Sequence, residues 1–250
     1  MSSATGRGRS WKMFKVTRIS VAVLTLALAL PALAQDFAAR RADLVNEIRD
    51  YASYADDESI GEDVLQSLNT VERHRFVPRG EVPYAYANRP LAIGYGQTIS
   101  QPYIVALMTD LLEPEPQDVV LEVGTGSGYQ AAVLSGLVGR VYTIEIIEVL
   151  ANQATERLQE LGYENVETRL GDGYFGWEEQ APFDAIIVTA AATHVPPPLV
   201  EQLRPGGRMV IPVGGRFTTQ WLLLIEKNDD GTVVTRQVTA VRFVPLTGEH

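Results

Sequence analysis

The sequence predicts an α/β fold: a mostly parallel, doubly wound sheet with N-terminal helices. Three observations predict it. Short apolar runs alternate with amphipathic stretches from residue 118 onward, the pattern of strand and helix units that build a parallel sheet. One apolar run ends in a glycine-rich turn at 124–128 and is followed by helix-forming residues. The chain has 250 residues, 46% of them apolar, enough to bury the core of one large domain.

The elements follow in order. Over 36–76 the pattern is helical: Leu44, Val45 and Ile48 share one stripe, and Val64, Leu65, Leu68 and Val71 share another. Ser59 and Glu62 have capping-box spacing ahead of the second stripe. Pro78, Gly80, Pro83, Asn88 and Pro90 then predict a long irregular stretch, which ends in GYGQTISQP at 94–102. Pro102 opens a further helix, closed by Glu113-Pro114-Glu115-Pro116. Strands are expected at 118–123, 140–146, 166–172, 183–191 and 207–214. Helices are expected at 129–137, 149–161 and 197–203, and two period-2 strands at 221–227 and 236–246. There is no internal repeat and no low-complexity linker.

The N-terminus reads as an address. Arg7, Arg9, Lys12, Lys15 and Arg18 precede ISVAVLTLALAL, and Pro31-Ala32-Leu33-Ala34 supplies an A-x-A site before Gln35. That order is a secretory signal peptide, with an apolar run too short for a membrane span; Met13 would serve equally as a start. The expected organisation is a signal peptide at 1–34 and a single domain at 35–250, divided into an N-terminal helical and loop region (35–112) and a core (113–250). The expected protein is exported, periplasmic or secreted, a monomer, and not inserted in a membrane after cleavage. Without residues 1–34 it carries 16 Lys and Arg against 31 Asp and Glu, a formal charge of −15, which argues against nucleic acid as a partner. It has no cysteine, so disulfides, thiolate metal sites and thiol nucleophiles are excluded. His74, His194 and His250 lack any metal-ligand spacing, and no metal is expected.

The chemistry concentrates at LEVGTGSGYQ, 121–130. A dinucleotide fingerprint would need glycine at position 129, where this chain has Tyr129. The spacing here is G-x-G-x-G, preceded by Glu122, which resembles S-adenosylmethionine-dependent methyltransferases and their Rossmann-like fold. Glu145 ends the next strand, where a carboxylate can accept from ribose hydroxyls. Gly171-Asp172-Gly173 ends the third, where Asp172 can accept from an adenine amino group.

Taken with these, RHRFVP (73–78), IGYGQTISQP (93–102), GDGYFGW (171–177), APFDAIIVTAA (181–191), EQLRPGGRMVIPVG (201–214) and FVPLTG (243–248) resemble protein-L-isoaspartate O-methyltransferases. The resemblance implies S-adenosyl-L-methionine as cofactor and isoaspartyl-containing peptides and proteins as partners. It implies methyl transfer to the free carboxylate of an L-isoaspartyl residue, followed by spontaneous closure to a succinimide that reopens partly as aspartate. It assigns Ser100 to catalysis. The cofactor contacts it implies are Gly124, Thr125, Gly126, Ser127, Gly128, Glu145, Asp172 and Gly173, together with Thr98, Ile99 and Thr247. An acceptor carboxylate is already ionised at neutral pH, so the reaction calls for positioning rather than a general base, and His74 is expected to be structural. Ser100 is also placed to cap the helix that begins at Pro102. Two other readings use the same fingerprint: a methyltransferase with another carboxylate acceptor, and a non-catalytic envelope binding protein. The family is usually cytosolic, so an export signal separates this chain from the expected source of its cofactor.

Overall fold

The computed structural model describes residues 37–53, 59–215 and 217–248. The signal segment 1–34 and His250 lie outside the described residues. The compact unit Arg40–His250 carries the architecture that follows.

A helix α1 spans 37–53 and buries Leu44, Val45 and Ile48, the stripe expected from their spacing. Helix α2, Glu62–Thr70, buries Val64, Leu65 and Leu68. Its start differs from the expected capping box. The N-cap is Gly61, without a side-chain cap, and the Gly61 N–H donates to Asp110 Oδ1 at 2.6 Å. An acid from another helix thus displaces the local Ser59 signal. Strands β1 (Leu91–Gly94) and β2 (Gln97–Ile99) form a small antiparallel hairpin where a loop was expected. Helix α3, Pro102–Leu111, follows directly.

The main sheet has seven strands: β3 (Val119–Val123), β4 (Arg140–Glu145), β5 (Val166–Leu170), β6 (Phe183–Val188), β7 (Leu203–Val213), β8 (Gln220–Lys227) and β9 (Val233–Val241). Their order is β5-β4-β3-β6-β7-β8-β9. The first five are parallel and the last two run antiparallel as a meander. Helices α4 (Tyr129–Ser135), α5 (Glu148–Glu160) and α6 (Pro197–Gln202) make the crossovers. From β3 the chain moves outward through β4 to β5, then returns to the other side of β3 for β6 and β7. With right-handed crossovers this places α4 and α5 on one face and α6 on the other. β3 and β6 therefore flank the point where the strand order reverses, and the crevice beyond their carboxyl ends is where open α/β sheets bind ligands.

The central strands are continuous apolar runs because both faces are covered. Leu121, Val123, Ile144, Ile186, Val188, Met209 and Ile211 form one cluster with Trp177 and Phe183. Two strands begin earlier than expected. β7 starts at Leu203 because Leu203 pairs with Phe183 before a register shift to Ala185 and Arg208. β9 starts at Val233 because it pairs as far as Lys227. No helix among the described residues is long and apolar enough to cross a membrane.

Candidate active site

The turn after β3 is built from three glycines with positive φ: Gly124 (101°), Gly126 (54°) and Gly128 (88°). Only glycine adopts such a series without strain. At Gly124 space is equally decisive, since a Cβ there would overlap Thr189 Oγ1. Thr189 directly follows β6 and donates from that hydroxyl to Gly124 O at 2.6 Å, stapling the turn across the switch point. Gly128 is the N-cap of α4 and packs on Leu158.

Two carboxyl groups stand behind this turn. Glu145, at the end of β4, accepts from Gly126 N at 2.8 Å and from Ile147 N at 2.9 Å. Both oxygens are thus fixed by backbone donors at the cleft wall. Glu122 is fully buried in β3. Its Oε2 accepts from Thr143 Oγ1 at 2.6 Å, and Thr143 is in turn 2.6 Å from Thr125 Oγ1. Its Oε1 has no hydrogen-bond partner among the described residues. Burial pushes the Glu122 carboxyl up to about 8, against the opposing pull of the Thr143 hydrogen bond.

The polar stretch that interrupts the sequence between apolar segments is the β1–β2 hairpin and its exit. Tyr95 and Gly96 at its tip both have positive φ (53° and 73°), the pattern of a type I′ turn. β2 then delivers Thr98, Ile99 and Ser100 to the switch-point crevice. Ser100 does not cap α3: the N-cap is Gln101, and Asn88 Oδ1 accepts from Tyr103 N at 3.0 Å. The Ser100 hydroxyl has no hydrogen-bond partner among the described residues, while its carbonyl accepts from Arg73 Nη2 at 2.8 Å. The C-terminal segment is stitched to the loop after β6 by Ala191 N to Val244 O and Leu246 N to Ala191 O, both 2.8 Å. This brings Val244 to Thr247 back to the crevice.

The result is two clefts sharing one wall. The first, about 770 Å³ counted to its open mouth, is lined by the hairpin exit, the glycine turn, Glu122, Glu145, Gly173 and residues 244–247. The second is lined by Pro90, Gln101, Ile104 and residues 240–244. Thr98, Ser100, Thr189 and Val244 line both.

Of the residues singled out from sequence, Ser100, Thr98, Ile99, Gly124, Thr125, Gly126, Ser127, Glu145, Gly173 and Thr247 converge on the first cleft. Gly128 and Asp172 are not on that wall. Asp172 Oδ1 accepts from Tyr174 N at 3.0 Å, capping the turn Gly173–Phe175, and its carboxylate abuts Gly248. His74 is half-buried and hydrogen-bonds Tyr86 OH through Nδ1 at 2.8 Å. His194 is exposed. Among the described residues no group of three or more His, Asp or Glu is arranged to hold a metal. Sequence reasoning missed Tyr129, the unpaired oxygen of Glu122 and the buried Arg73. For Arg73 a signal existed, an arginine in RHRFVP that tertiary structure buries completely.

A glycine turn at a switch point, an acid at the end of the neighbouring strand, and Tyr129 where a dinucleotide fingerprint needs glycine fit the class of S-adenosylmethionine-dependent methyltransferases. Residues 39–250 match the sequence profile of the protein-L-isoaspartate(D-aspartate) O-methyltransferases. The chain belongs to that family. It is 60% identical over 238 residues to protein-L-isoaspartate O-methyltransferase 1 of Cupriavidus necator, covering 93% of this chain and 92% of that one. It is 66% identical over 192 residues to protein-L-isoaspartate O-methyltransferase 2 of Polaromonas sp., covering 77% and 91%. Among solved structures, a protein-L-isoaspartate O-methyltransferase superposes with a TM-score of 0.75 at 29% identity, over 83% of this chain and 66% of that one. A Plasmodium falciparum chain described as a beta-aspartate methyltransferase, in complex with S-adenosyl-L-homocysteine, superposes with a TM-score of 0.68 at 26% identity, over 83% and 98%.

Proposed function

We propose that this chain transfers a methyl group from S-adenosyl-L-methionine to the free α-carboxylate of L-isoaspartyl residues in damaged proteins, using the first cleft for the donor and the second for the acceptor. The observation that carries this is the shared wall: Thr98, Ser100, Thr189 and Val244 face both clefts. When bound, the donor supplies an electrophilic methyl on a sulfonium.

The residues of the first cleft fit that donor. Glu122 Oε1 is an orphaned buried acceptor, suited to an ammonium group. Glu145, with both oxygens fixed by backbone N–H groups, retains lone pairs for a pair of ribose hydroxyls. The Gly124–Gly128 turn admits a close backbone approach at a helix N-terminus. Gly173 keeps the neighbouring turn tight on Val123, where a Cβ would overlap a valine methyl.

At the acceptor side the chain supplies position. The Ser100 hydroxyl, without a partner among the described residues, donates to one oxygen of the acceptor carboxylate and leaves the other directed at the donor cleft. A hydroxyl donor orients the nucleophile without taking its charge. Holding the reacting atoms about 3–3.5 Å apart and in line is where an enzyme of this kind gains its rate. Arg242, exposed at the rim of the second cleft, draws the anionic acceptor in a chain whose formal charge is otherwise strongly negative.

The basic and apolar segments before Ala34 further support export of the mature chain from Gln35. Radiolabelled donor with two synthetic peptides, identical except for isoaspartate or aspartate at one position, tests the activity. Base-labile methyl ester on the isoaspartyl peptide alone is expected; transfer to both, or to neither, contradicts it.

A further inference from the structure

Arg73 is fully buried, and it contacts both Ser100, on the shared wall, and Tyr129, on the donor cleft wall. It lies in the 3-10 turn Arg73–Phe76. Its Nε donates to Ala85 O at 2.9 Å and its Nη2 to Ser100 O at 2.8 Å. Its Cζ sits 4.8 Å from the centroid of Tyr129, the first residue of α4 and part of the donor cleft wall. Nη1 has no hydrogen-bond partner among the described residues. A buried cation with an unsatisfied donor is costly to keep where a hydrophobic side chain would pack. What the arginine provides that a leucine would not is geometry. One planar, rigid group holds the backbone of the acceptor-orienting serine by a directed hydrogen bond and presses the opening residue of the donor helix from the other side.

We propose that Arg73 is a positioning residue for methyl transfer, setting the distance between Ser100 and the glycine turn through one shared guanidinium. It touches neither substrate; it acts through Ser100 and Tyr129. The proposal rests on the two-cleft reading given above. Alignment between donor and acceptor is then a property of this strut rather than of the hairpin, whose tip is exposed and held by only the short β1–β2 pairing. Misplacement by about 1 Å costs on the order of 100-fold in rate, so loosening the strut reads out in turnover before it reads out in binding.

The experiment uses the full chain with Arg73→Lys, which keeps the charge but not the fork, and Arg73→Gln, which keeps donors but not the charge. For each, kcat and KM are measured on an isoaspartyl peptide at saturating S-adenosylmethionine, together with the Kd for S-adenosylhomocysteine and the melting temperature. The expected result is a fall in kcat of roughly 10-fold or more in folded Arg73→Lys, with Kd and peptide KM within about threefold of wild type. Adding Ser100→Ala to Arg73→Lys is expected to cost much less than Ser100→Ala costs alone, because both act on one group. A purely structural arginine predicts lowered melting temperature with kcat per folded enzyme unchanged, or fully multiplicative effects of the two substitutions; either overturns the proposal. If Arg73→Lys does not fold, the same criteria apply to Arg73→Gln, and hydrogen exchange at 97–101 in its folded fraction must rise above that at 166–170. An inactive wild type refutes the two-cleft reading itself, whereas an active wild type with unimpaired folded variants refutes only the role of Arg73.

Discussion

Replacing Glu122 by glutamine removes a carboxyl whose burial strongly opposes its charge. The side chain is fully buried, with Oε2 held by Thr143 and Oε1 without a partner among the described residues. Its carboxyl lies at about 8 rather than 4.5, so between those values the folded donor-free chain keeps a proton that the unfolded chain has released. A proton retained on folding means that stability falls as pH rises across that window and levels off above about 8. At 1.36 kcal/mol per pH unit, the displacement from 4.5 to about 8 sets a ceiling of about 5 kcal/mol on that loss. Glutamine keeps the acceptor for Thr143 and removes the titration, but leaves an amide where Oε1 has no partner, at a cost of about 1–3 kcal/mol. The expected net gain at pH 8.5 is roughly 2–4 kcal/mol. For a domain of this size that raises the melting temperature by roughly 5–10 °C, while at pH 5 the variant is no more stable than wild type. Thermal unfolding by circular dichroism from pH 5 to 9, without donor, measures both chains. Parallel curves, with the two melting temperatures offset equally at every pH, would refute the reasoning and place a charged or solvated carboxylate at Glu122.

Three further outcomes follow from the same geometry. Ser100→Ala is expected to lower kcat roughly 10–100-fold while calorimetry shows S-adenosylhomocysteine affinity within a factor of two, since the hydroxyl serves the acceptor side. Glu145→Ala removes an acceptor fixed by two backbone donors; S-adenosylhomocysteine Kd is expected to rise about 10–100-fold, the scale of hydrogen bonds to a charged group. Arg242→Glu is expected to raise peptide KM by roughly tenfold at low salt, with the difference shrinking as ionic strength screens an exposed charge. A salt-independent change would assign Arg242 to packing.

The sheet was legible because its strands are continuous apolar runs flanked by breakers: Val119–Val123 and Phe183–Val188 stand out from their residues alone. The glycine turn was legible because three closely spaced glycines followed by a helical pattern permit few conformations. The β1–β2 hairpin was not, because strands of four and three residues carry too little alternation to distinguish them from loop. The start of α2 was misassigned because Asp110, 49 positions away, competes with the local cap. Arg73 and Glu122 escaped assignment for a similar reason. Each is a charged residue type that only tertiary burial converts into a strut or an orphaned acceptor. Ser100 lines the first cleft and does not cap α3, whose N-cap is Gln101 and whose Tyr103 N–H donates to Asn88 Oδ1.

Donor and acceptor occupy separate clefts in this reading and meet across Thr98, Ser100, Thr189 and Val244. A crystal structure of the chain with S-adenosylhomocysteine and an isoaspartyl peptide tests it most directly. The nucleoside is expected against Glu145, the peptide between Pro90 and residues 240–244, and one carboxylate oxygen within hydrogen-bond distance of Ser100 Oγ. A peptide bound on any other surface, or an acceptor carboxylate out of reach of Ser100, would contradict it.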